Sequence, residues 1–240
     1  MHTHIRRMGQ RNCIFAALRQ ELMNDMFREK VGGAESSNYQ VDLDVQSFAM
    51  VSNRGEVTAK AHLLASVAAK PPTLLWGYSE MLSQYADATR LARKVYDYGV
   101  EHHEEELTTE EVPYTLPLGE DQGMVIANVA HDIGSAAITI FGDDYYYYSS
   151  PIGGGSRAVL LLENLSEDVP PITLKYLYPR LSRYLQQVDD VFWSLEGLVE
   201  RMPGWRLDLE NGDDGTPLVR ITDETGASLS GQLPDQPAGR

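Results

Sequence analysis

The sequence predicts an α+β protein in which an antiparallel sheet, made of an N-terminal meander and a Tyr-rich hairpin, packs against several helices. Between residues 38 and 79, segments with the two-residue alternation of strands follow one another directly, as in an antiparallel meander. Segments with the three-to-four-residue spacing of amphipathic helices stand apart from them. No regular strand–helix alternation suggests parallel βαβ units. A long C-terminal helix and terminal strands complete the prediction.

The first half of the chain predicts one helix and the meander. Apolar residues recur at helical spacing from Cys13 to Val31, and the glycines of "VGG" end that helix. Next, "NYQVDLDV" alternates apolar and polar residues, which is typical of a half-buried strand. The further predicted strands are "SFAMVS", "EVTAKAHLLASVA" and "PTLLWGYS".

The second half predicts helices on either side of a hairpin. One helix covers residues 83–98, and Gly99 is suited to the position after its C-terminus. Another covers residues 120–140. The hairpin pairs "YYYYSS" with "SRAVLLLE" around "PIGGG". A long helix over 172–202 ends at Pro203, and the last strands are "WRLDLE", "PLVRIT" and "ASLSGQL".

Composition and charge exclude several classes of function. The chain of 240 residues has 20 Lys and Arg against 35 Asp and Glu, a net charge of -15 that repels nucleic acid and anionic lipid. The longest apolar stretch, "MVIANVAHDIGSAAITIF", is interrupted by His131 and Asp132, so no membrane span is expected. The N-terminus lacks the apolar run of a signal peptide. A soluble, cytoplasmic protein is expected.

Metal and cofactor signals are weak. The single cysteine, Cys13, excludes an internal disulfide and a Cys-rich zinc site. In "EHHEEE", adjacent His102 and His103 would point to different sides of a helix, so a solvated loop explains the run better than a metal site. The loop "GGGSR" lacks the lysine of a phosphate-binding loop and suits a hairpin turn. We therefore expect no metal and no cofactor.

Two stretches resemble a known family. "AHLLASVAAKPPTLLWGYSE" and "ARKVYDYGVEHHEEELTTEEVPY" are similar to a bacterial family known as a domain of unknown function. There a Trp-Leu-Trp-x-Trp-Ala-Asn strand precedes a helix ending in Tyr-Gly or His-Gly, a Leu-Thr-Thr motif, an Ala-rich helix and a Tyr-bearing hairpin. This chain keeps only Trp76 of the tryptophans and replaces Ala-Asn with Ser79 and Glu80. The resemblance covers Phe15 to Leu162 and implies a shared fold.

The domain prediction follows from the extent of that resemblance. Residues 10–165 are expected to form the family-like core domain. Residues 166–233 are expected to form a long helix and short strands packed on the core, either as a second unit or as part of one continuous domain. Residues 234–240 are expected to be a flexible tail.

The aromatic residues of two strands are candidates for ligand or partner contacts. Successive side chains on a strand alternate between faces, so Tyr145 and Tyr147 should share one face of the hairpin. Trp76 and Tyr78 similarly share a face of their strand. The alternative is a structural role, and we expect Trp76 to be buried between the sheet and the helix at 83–98.

The helix at 120–140 carries the weak catalytic candidates. Its polar face holds short, nearly uncharged side chains, which indicates packing against another element or the lining of a cleft. The candidates on that face are His131, Asp132, Ser135 and Asn128. His131 and Ser135 lie one turn apart, although no known nucleophilic arrangement depends on that spacing. The alternative is that His131 is a hydrogen-bonded structural histidine.

The C-terminal helix suggests a possible homodimer. From Leu174 to Met202 apolar residues recur at a 3.5-residue period, which is the seam of a coiled coil. Pro179 and a wide apolar face favour packing on the protein's own sheet instead. Homodimerisation through the 174–202 helix is the alternative.

Two functions remain open. The first is a non-catalytic module, adaptor- or chaperone-like, that binds a protein or a small molecule. The second is a small-molecule hydrolase with a site around His131. A concave pocket with His131 beside a hydroxyl or carboxylate favours an enzyme, and a flat aromatic patch favours a partner surface.

Overall fold

The computed structural model describes residues 3–33, 37–211 and 217–232 and confirms the α+β class. The strands within these residues are β1 Asn38–Asp42, β2 Ser47–Ser52, β3 Gly55–Ala69, β4 Pro72–Trp76, β5 Glu111–Pro113, β6 Tyr146–Gly153, β7 Ser156–Glu163, β8 Arg206–Asn211, β9 Pro217–Thr222 and β10 Ser228–Gln232. The helices are α1 Thr3–Val31, α2 Ala86–Thr89, α3 Ala92–His102, α4 Glu105–Thr108, α5 Gln122–Phe141, α6 Leu174–Leu185 and α7 Val191–Glu200, with a 3₁₀ helix at Glu80–Tyr85.

The larger sheet is built around β3, a strand of 15 residues. One edge of β3 pairs with β7, and β6 pairs with the far side of β7, which confirms the Tyr-rich hairpin. The other edge pairs with β2 along its first half and with β4 along its second half. β1 and β5 then extend these two branches, and every pairing is antiparallel. The meander is therefore confirmed as well.

A second, smaller sheet follows the helices of the C-terminal region. Its three strands run in the order β10–β9–β8, again antiparallel, as the three terminal segments predict. Val219 and Ile221 of β9 are fully buried against Leu177 of α6 and Leu195 of α7. The predicted tail at 234–240 lies outside the described residues.

α1 is the helix that connects the parts of the fold. Its C-terminal half packs on the larger sheet through Met23 and Phe27, and its N-terminal half packs on α6 and α7 through Ile14 and Leu18. α5 covers the remaining part of the sheet through Ile126 and other apolar residues of its buried stripe. Of the described helices, α5 alone has the length and hydropathy of a membrane span, and most of it is buried inside the fold.

The first helix begins earlier than predicted. It starts by Thr3 rather than at Cys13, because the carboxylate of Glu106 accepts hydrogen bonds from the backbone N–H groups of His4 and Ile5. Such an acceptor satisfies N–H groups that a helix N-terminus leaves unpaired. The "EHHEEE" run is largely exposed, as expected of a solvated segment, but it is mostly helical rather than a loop. It ends α3, and Glu105–Thr108 form α4 beneath the start of α1.

The helix predicted at 83–98 is also different in the structure. The 3₁₀ helix and α2 occupy its first part, and α3 continues past Gly99 to His102. His103 adopts the left-handed conformation that ends the helix, with φ 58°. Gly99 is needed for packing, since a Cβ at this position would lie 2.7 Å from Cβ of Leu107.

The long helix predicted at 172–202 is wrong. The chain forms two helices, α6 and α7, which are separated at residues 186–190. Asp190 caps the second one by accepting a hydrogen bond from the backbone N–H of Trp193 at 2.9 Å. The interruption places the 186–190 connection beside α1, where it borders the cleft described below.

Candidate functional site: a polar cleft between α1 and α5

A cavity of about 380 Å³ opens between α1, α5 and the end of α6. We refer to it as the α1–α5 cleft. Its size lies within the range of small-molecule sites, about 300–1,000 Å³. Its lining combines polar and apolar side chains, namely Arg6, Gln10, Cys13, Ile14, Ala17, Met124, Asn128, His131, Asp132, Tyr184, Gln187 and Val188. Three of the four weak catalytic candidates, His131, Asp132 and Asn128, therefore meet at one concavity.

The helices α1 and α5 approach each other closely beside the cleft. Asp121 caps α5 by accepting hydrogen bonds from the N–H groups of Gly123 and Met124, and the apolar stripe of α5 faces the sheet. Gly9 of α1 lies against α5, since a Cβ at Gly9 would be only 2.7 Å from the carbonyl oxygen of Asp132. Asp132 of the polar face of α5 is thus buried against α1.

His131 is held by a buried tyrosine. Its Nδ1 lies 2.6 Å from the hydroxyl of Tyr147, whose ring lies over Gly134 so closely that a Cβ there would be 2.5 Å from the ring. Burial raises the pKa of the Tyr147 hydroxyl, so the phenol keeps its proton. Because that hydroxyl has no other hydrogen-bond partner among the described residues, we assign its proton to the bond with Nδ1 of His131, whose direction depends on the tautomer of the ring.

The hydrogen bond from Tyr147 determines the tautomer of His131. Because Nδ1 accepts, the proton of the neutral ring is on Nε2, which has no protein partner in the described part of the chain. Burial, assisted by the positive charge of Arg6, lowers the pKa of His131 to about 4. At neutral pH, His131 therefore presents an Nε2–H donor to the cleft and no unprotonated nitrogen that could act as a base.

Arg6 connects α1 to both other elements of the cleft. Its Nε and Nη2 donate to Asp189 at 2.7 Å each, and its Nη1 donates to Asp132 at 3.2 Å. Asp189 lies in the 186–190 connection, and its backbone N–H donates to the side-chain oxygen of Gln10 at 2.8 Å. Burial raises the pKa of Asp132 to about 6, and Arg6 offsets only part of that rise.

The cleft lacks an activated nucleophile among the described residues. Burial raises the pKa of the Cys13 thiol to about 11, so the sulfur stays protonated and unreactive. Ser135 is fully buried, its hydroxyl has no hydrogen-bond partner in the structure, and it does not line the cleft. The imidazole of His131 contacts neither of them through a hydrogen bond. Asn128 lies exposed at the edge of the cleft.

Trp76 and Tyr78 lie away from the cleft and hold the α4 segment. Trp76 is 2% exposed, packs on Leu91 of the predicted 83–98 segment, and donates from Nε1 to the carbonyl of Glu106 at 2.9 Å. Its predicted burial is confirmed. Tyr78 stacks on Trp76 and donates to the carbonyls of Leu107 and Thr109. These contacts are those of core residues.

The four consecutive tyrosines divide between two faces, as their alternation predicts. Tyr145 and Tyr147 pack with the α5 side of the sheet, but only Tyr147 reaches His131; Tyr145 lies edge-on to Phe141. Tyr146 and Tyr148 pack on the other face, where Arg19 of α1 lies over the ring of Tyr146. Of the four tyrosines, Tyr147 therefore supports His131, and the other three have packing roles.

A second buried histidine shows how His131 differs. His62 is 1% exposed and both of its ring nitrogens have partners: Nε2 lies 2.9 Å from Glu163, and Nδ1 lies 3.4 Å from Gln46. His131 has a partner on one nitrogen only. Within the described residues no group of three or more His, Cys, Asp or Glu side chains is arranged to hold a metal ion.

Arg6 and Gln10 of α1 and Asp189 were not among the site residues that the sequence predicted. Arg6 and Gln10 precede the predicted start of the first helix, and Asp189 was placed inside a continuous helix. A helical projection extended back from Ala17 shows the missing signal. Positions 6, 10, 13 and 17 recur every three or four residues and share one face of α1.

Comparison with known proteins gives one match. No curated protein and no solved structure matches the chain. A family model described as a family of unknown function, DUF6882, matches residues 6–165, which include α1, α5 and the Tyr-rich hairpin. The resemblance to a domain of unknown function is therefore confirmed. Since the match covers more than half of the sequence, the chain belongs to the DUF6882 family.

Proposed function

We propose that the protein is a binding module that holds a small molecule in the α1–α5 cleft. One observation carries the proposal: Tyr147 fixes His131 so that its Nε2–H points an unpaired donor into a cavity of about 380 Å³. Nε2 is not among the fully buried polar atoms of the described residues, so a ligand oxygen that enters the cavity can accept a hydrogen bond from it. The cleft also offers the amides of Asn128 and Gln187.

The hydrolase alternative has one supporting observation. His131 lies in a concave site with the hydroxyl of Tyr147 in hydrogen-bond reach, which is an arrangement that enzymes use. A general base, however, needs an unprotonated nitrogen directed at the substrate. Nδ1 is occupied by the Tyr147 hydroxyl, and Nε2 carries the proton. Binding is therefore better supported than hydrolysis.

Ligand binding to the wild-type protein, compared with binding to a variant whose cleft is filled by a larger side chain, tests the proposal. Ligand-observed NMR against a library of small polar molecules should find binders of the wild-type protein. Val188→Trp should abolish that binding, because Val188 lines the cleft and is half-buried, so the larger ring fills the cavity. Val45→Trp is the matched control, since Val45 is 69% exposed in a turn of the sheet.

Two results would contradict the proposal. Binders that retain their affinity for Val188→Trp bind elsewhere on the molecule. Turnover of ester or amide members of the library that His131→Phe abolishes would instead support the hydrolase.

A further inference from the structure

We propose that the α1–α5 cleft takes an uncharged molecule with an apolar body and an oxygen acceptor directed at Nε2–H of His131. This inference rests on the proposed binding function and specifies its ligand class. Three features of the cleft support it. The charged groups of the lining already pair with one another, Nε2–H of His131 has no protein partner in the described residues, and part of the lining is apolar.

An anion finds no available positive charge in the cleft. The guanidinium of Arg6 is the cation of its lining, and it already donates twice to Asp189 and once to Asp132. These two carboxylates exceed the one positive charge of Arg6, so the paired group is net negative when both are ionised. A carboxylate or phosphate ligand would have to displace Asp189 and would also meet the field of a protein with net charge -15.

A cation is disfavoured for a different reason. Both oxygens of Asp189 and Oδ2 of Asp132 accept hydrogen bonds from Arg6, so a ligand cation would compete with Arg6 for these carboxylates. The donor that remains is Nε2–H of His131, and its partial positive charge repels an ammonium or amidinium group. A neutral carbonyl or hydroxyl oxygen is the complement of that donor.

The rest of the lining suits an apolar body. Ile14 and Ala17 come from α1, Met124 from α5 and Val188 from the 186–190 connection. Met124 is 61% exposed, so a ligand that covers it removes apolar surface from water. Small-molecule sites commonly combine such apolar surfaces with a few placed polar groups that set orientation.

Three isosteric probes separate the possibilities by charge alone. Benzamide is neutral with a carbonyl acceptor, benzoate is an anion, and benzamidinium is a cation, while all three have the same ring and nearly the same size. We expect benzamide to bind at least about tenfold more tightly than either ion. Its binding should shift the Nε2 resonance of His131 in protein labelled with ¹⁵N-histidine. Val188→Trp should lose binding of all three probes.

A single substitution should reverse the preference. Asp189→Asn removes the carboxylate that occupies two donors of Arg6, and the Asp189 side chain is more than half exposed, so the fold should tolerate the change. Benzoate should then bind at least about tenfold more tightly than it binds the wild-type protein. Asp208→Asn, an exposed position on β8, is the matched control and should leave all three affinities unchanged.

The outcomes are distinguishable. Tightest binding of benzoate or benzamidinium to the wild-type protein, or no binding of benzamide up to its solubility, overturns the ligand class. Equal binding of benzamide to wild type and Val188→Trp shows that the cleft is not the site, which overturns the binding function itself.

Discussion

His131 and Asp132 are neighbours whose acidities move in opposite directions for the same physical reason. Burial disfavours the charged form of each, so the pKa of His131 falls to about 4 and that of Asp132 rises to about 6. Near pH 5 the folded protein therefore keeps an uncharged imidazole beside a carboxyl group that is mostly protonated. In the unfolded chain at that pH, the histidine is charged and the aspartate is ionised.

We predict that Asp132→Asn becomes progressively more stable than wild type as pH rises from 4 to 7. The pKa of Asp132 is higher in the folded state, about 6 against 3.8, so the folded state binds more protons between these values. Its stabilising contribution is complete below about pH 4 and is lost as pH rises through 6. The difference in unfolding free energy should grow by about 1–3 kcal/mol.

Denaturant melts of both proteins at several pH values measure that difference. His131 is present in both, so its opposite pH dependence cancels. Asp208→Asn is the control, because Asp208 is exposed. A difference between Asp132→Asn and wild type that stays constant from pH 4 to pH 7 would refute the raised pKa.

At the scale of elements, α6 and α7 show why a periodic pattern does not guarantee a continuous helix. Both helices direct apolar side chains into the same cluster with α1, so the 3.5-residue spacing continues across residues 186–190. The periodicity shows which side of a segment is buried. It does not show where one helix ends and the next begins, so one continuous pattern can belong to two helices. The local sequence signal for the start of a second helix was Asp190, whose carboxylate caps the N-terminus of α7.

Gly134 sets the distance between α5 and the hairpin, and we predict that Gly134→Ala destabilises the protein. A Cβ would overlap the ring of Tyr147, and overpacking of this kind costs about 1–3 kcal/mol. Alanine recovers about 1 kcal/mol through helix propensity. A net loss in the unfolding free energy is expected, together with a shift in the ¹⁵N resonances of His131 as Tyr147 moves.

Gly123→Ala in the same helix is the control. The nearest atom to a Cβ there is a side-chain oxygen of Asp121 at 3.2 Å, and no ring is displaced. Unfolding free energy should rise by up to about 1 kcal/mol through helix propensity, and the His131 resonances should stay close to those of wild type. If Gly134→Ala behaves like Gly123→Ala, the close contact with Tyr147 does not position His131.

At the scale of the whole molecule, α1 determines how the C-terminal region joins the core. Ile14 and Leu18 of α1 are buried against α6 and α7, and Arg11 pairs with Glu196 and Glu200 of α7. The division predicted at 165/166 therefore crosses an extensive apolar contact, and whether residues 166–233 fold separately stays a prediction.

Homodimerisation through the 174–202 segment stays a prediction. Most of its apolar side chains are buried in the protein's own core, but Tyr178 of α6 is 70% exposed. The homodimer hypothesis predicts the mass of a dimer in light scattering coupled to gel filtration at tens of micromolar, whereas packing of the segment only on the protein's own core predicts a monomer. Tyr178→Glu should then give a monomer that remains folded, because this side chain is outside the core.

Met81→Glu is the control for that experiment, since Met81 is 72% exposed on another part of the surface. It should leave the mass unchanged. A monomer mass for the wild-type protein would refute the dimer. Leu185→Glu is unsuitable, because Leu185 is buried and the change would unfold the chain.

The fold class, the meander and the hairpin could be predicted because alternation and helical spacing report burial directly. The polar face of α5 was also predictable, since short uncharged side chains such as Ser135 and Thr139 are uncommon on a solvated helix face in so acidic a chain. The rest of the cleft depends on contacts between residues distant in sequence. Arg6 and Asp189 are 183 positions apart, and no local pattern shows that they meet.

The composition of the α1–α5 cleft bears on how this protein could diversify. His131, Tyr147 and Arg6 lie within the stretch shared with the DUF6882 family, whereas Tyr184, Gln187 and Val188 lie beyond it. The first group is constrained by the packing of α1, α5 and the hairpin. Gln187 and Val188 border the cleft from the connection between α6 and α7, where they are exposed and half-buried, so substitutions there disturb little else. Selection could thus alter which molecule is admitted by changing residues 187 and 188, while the donor that anchors it stays the same.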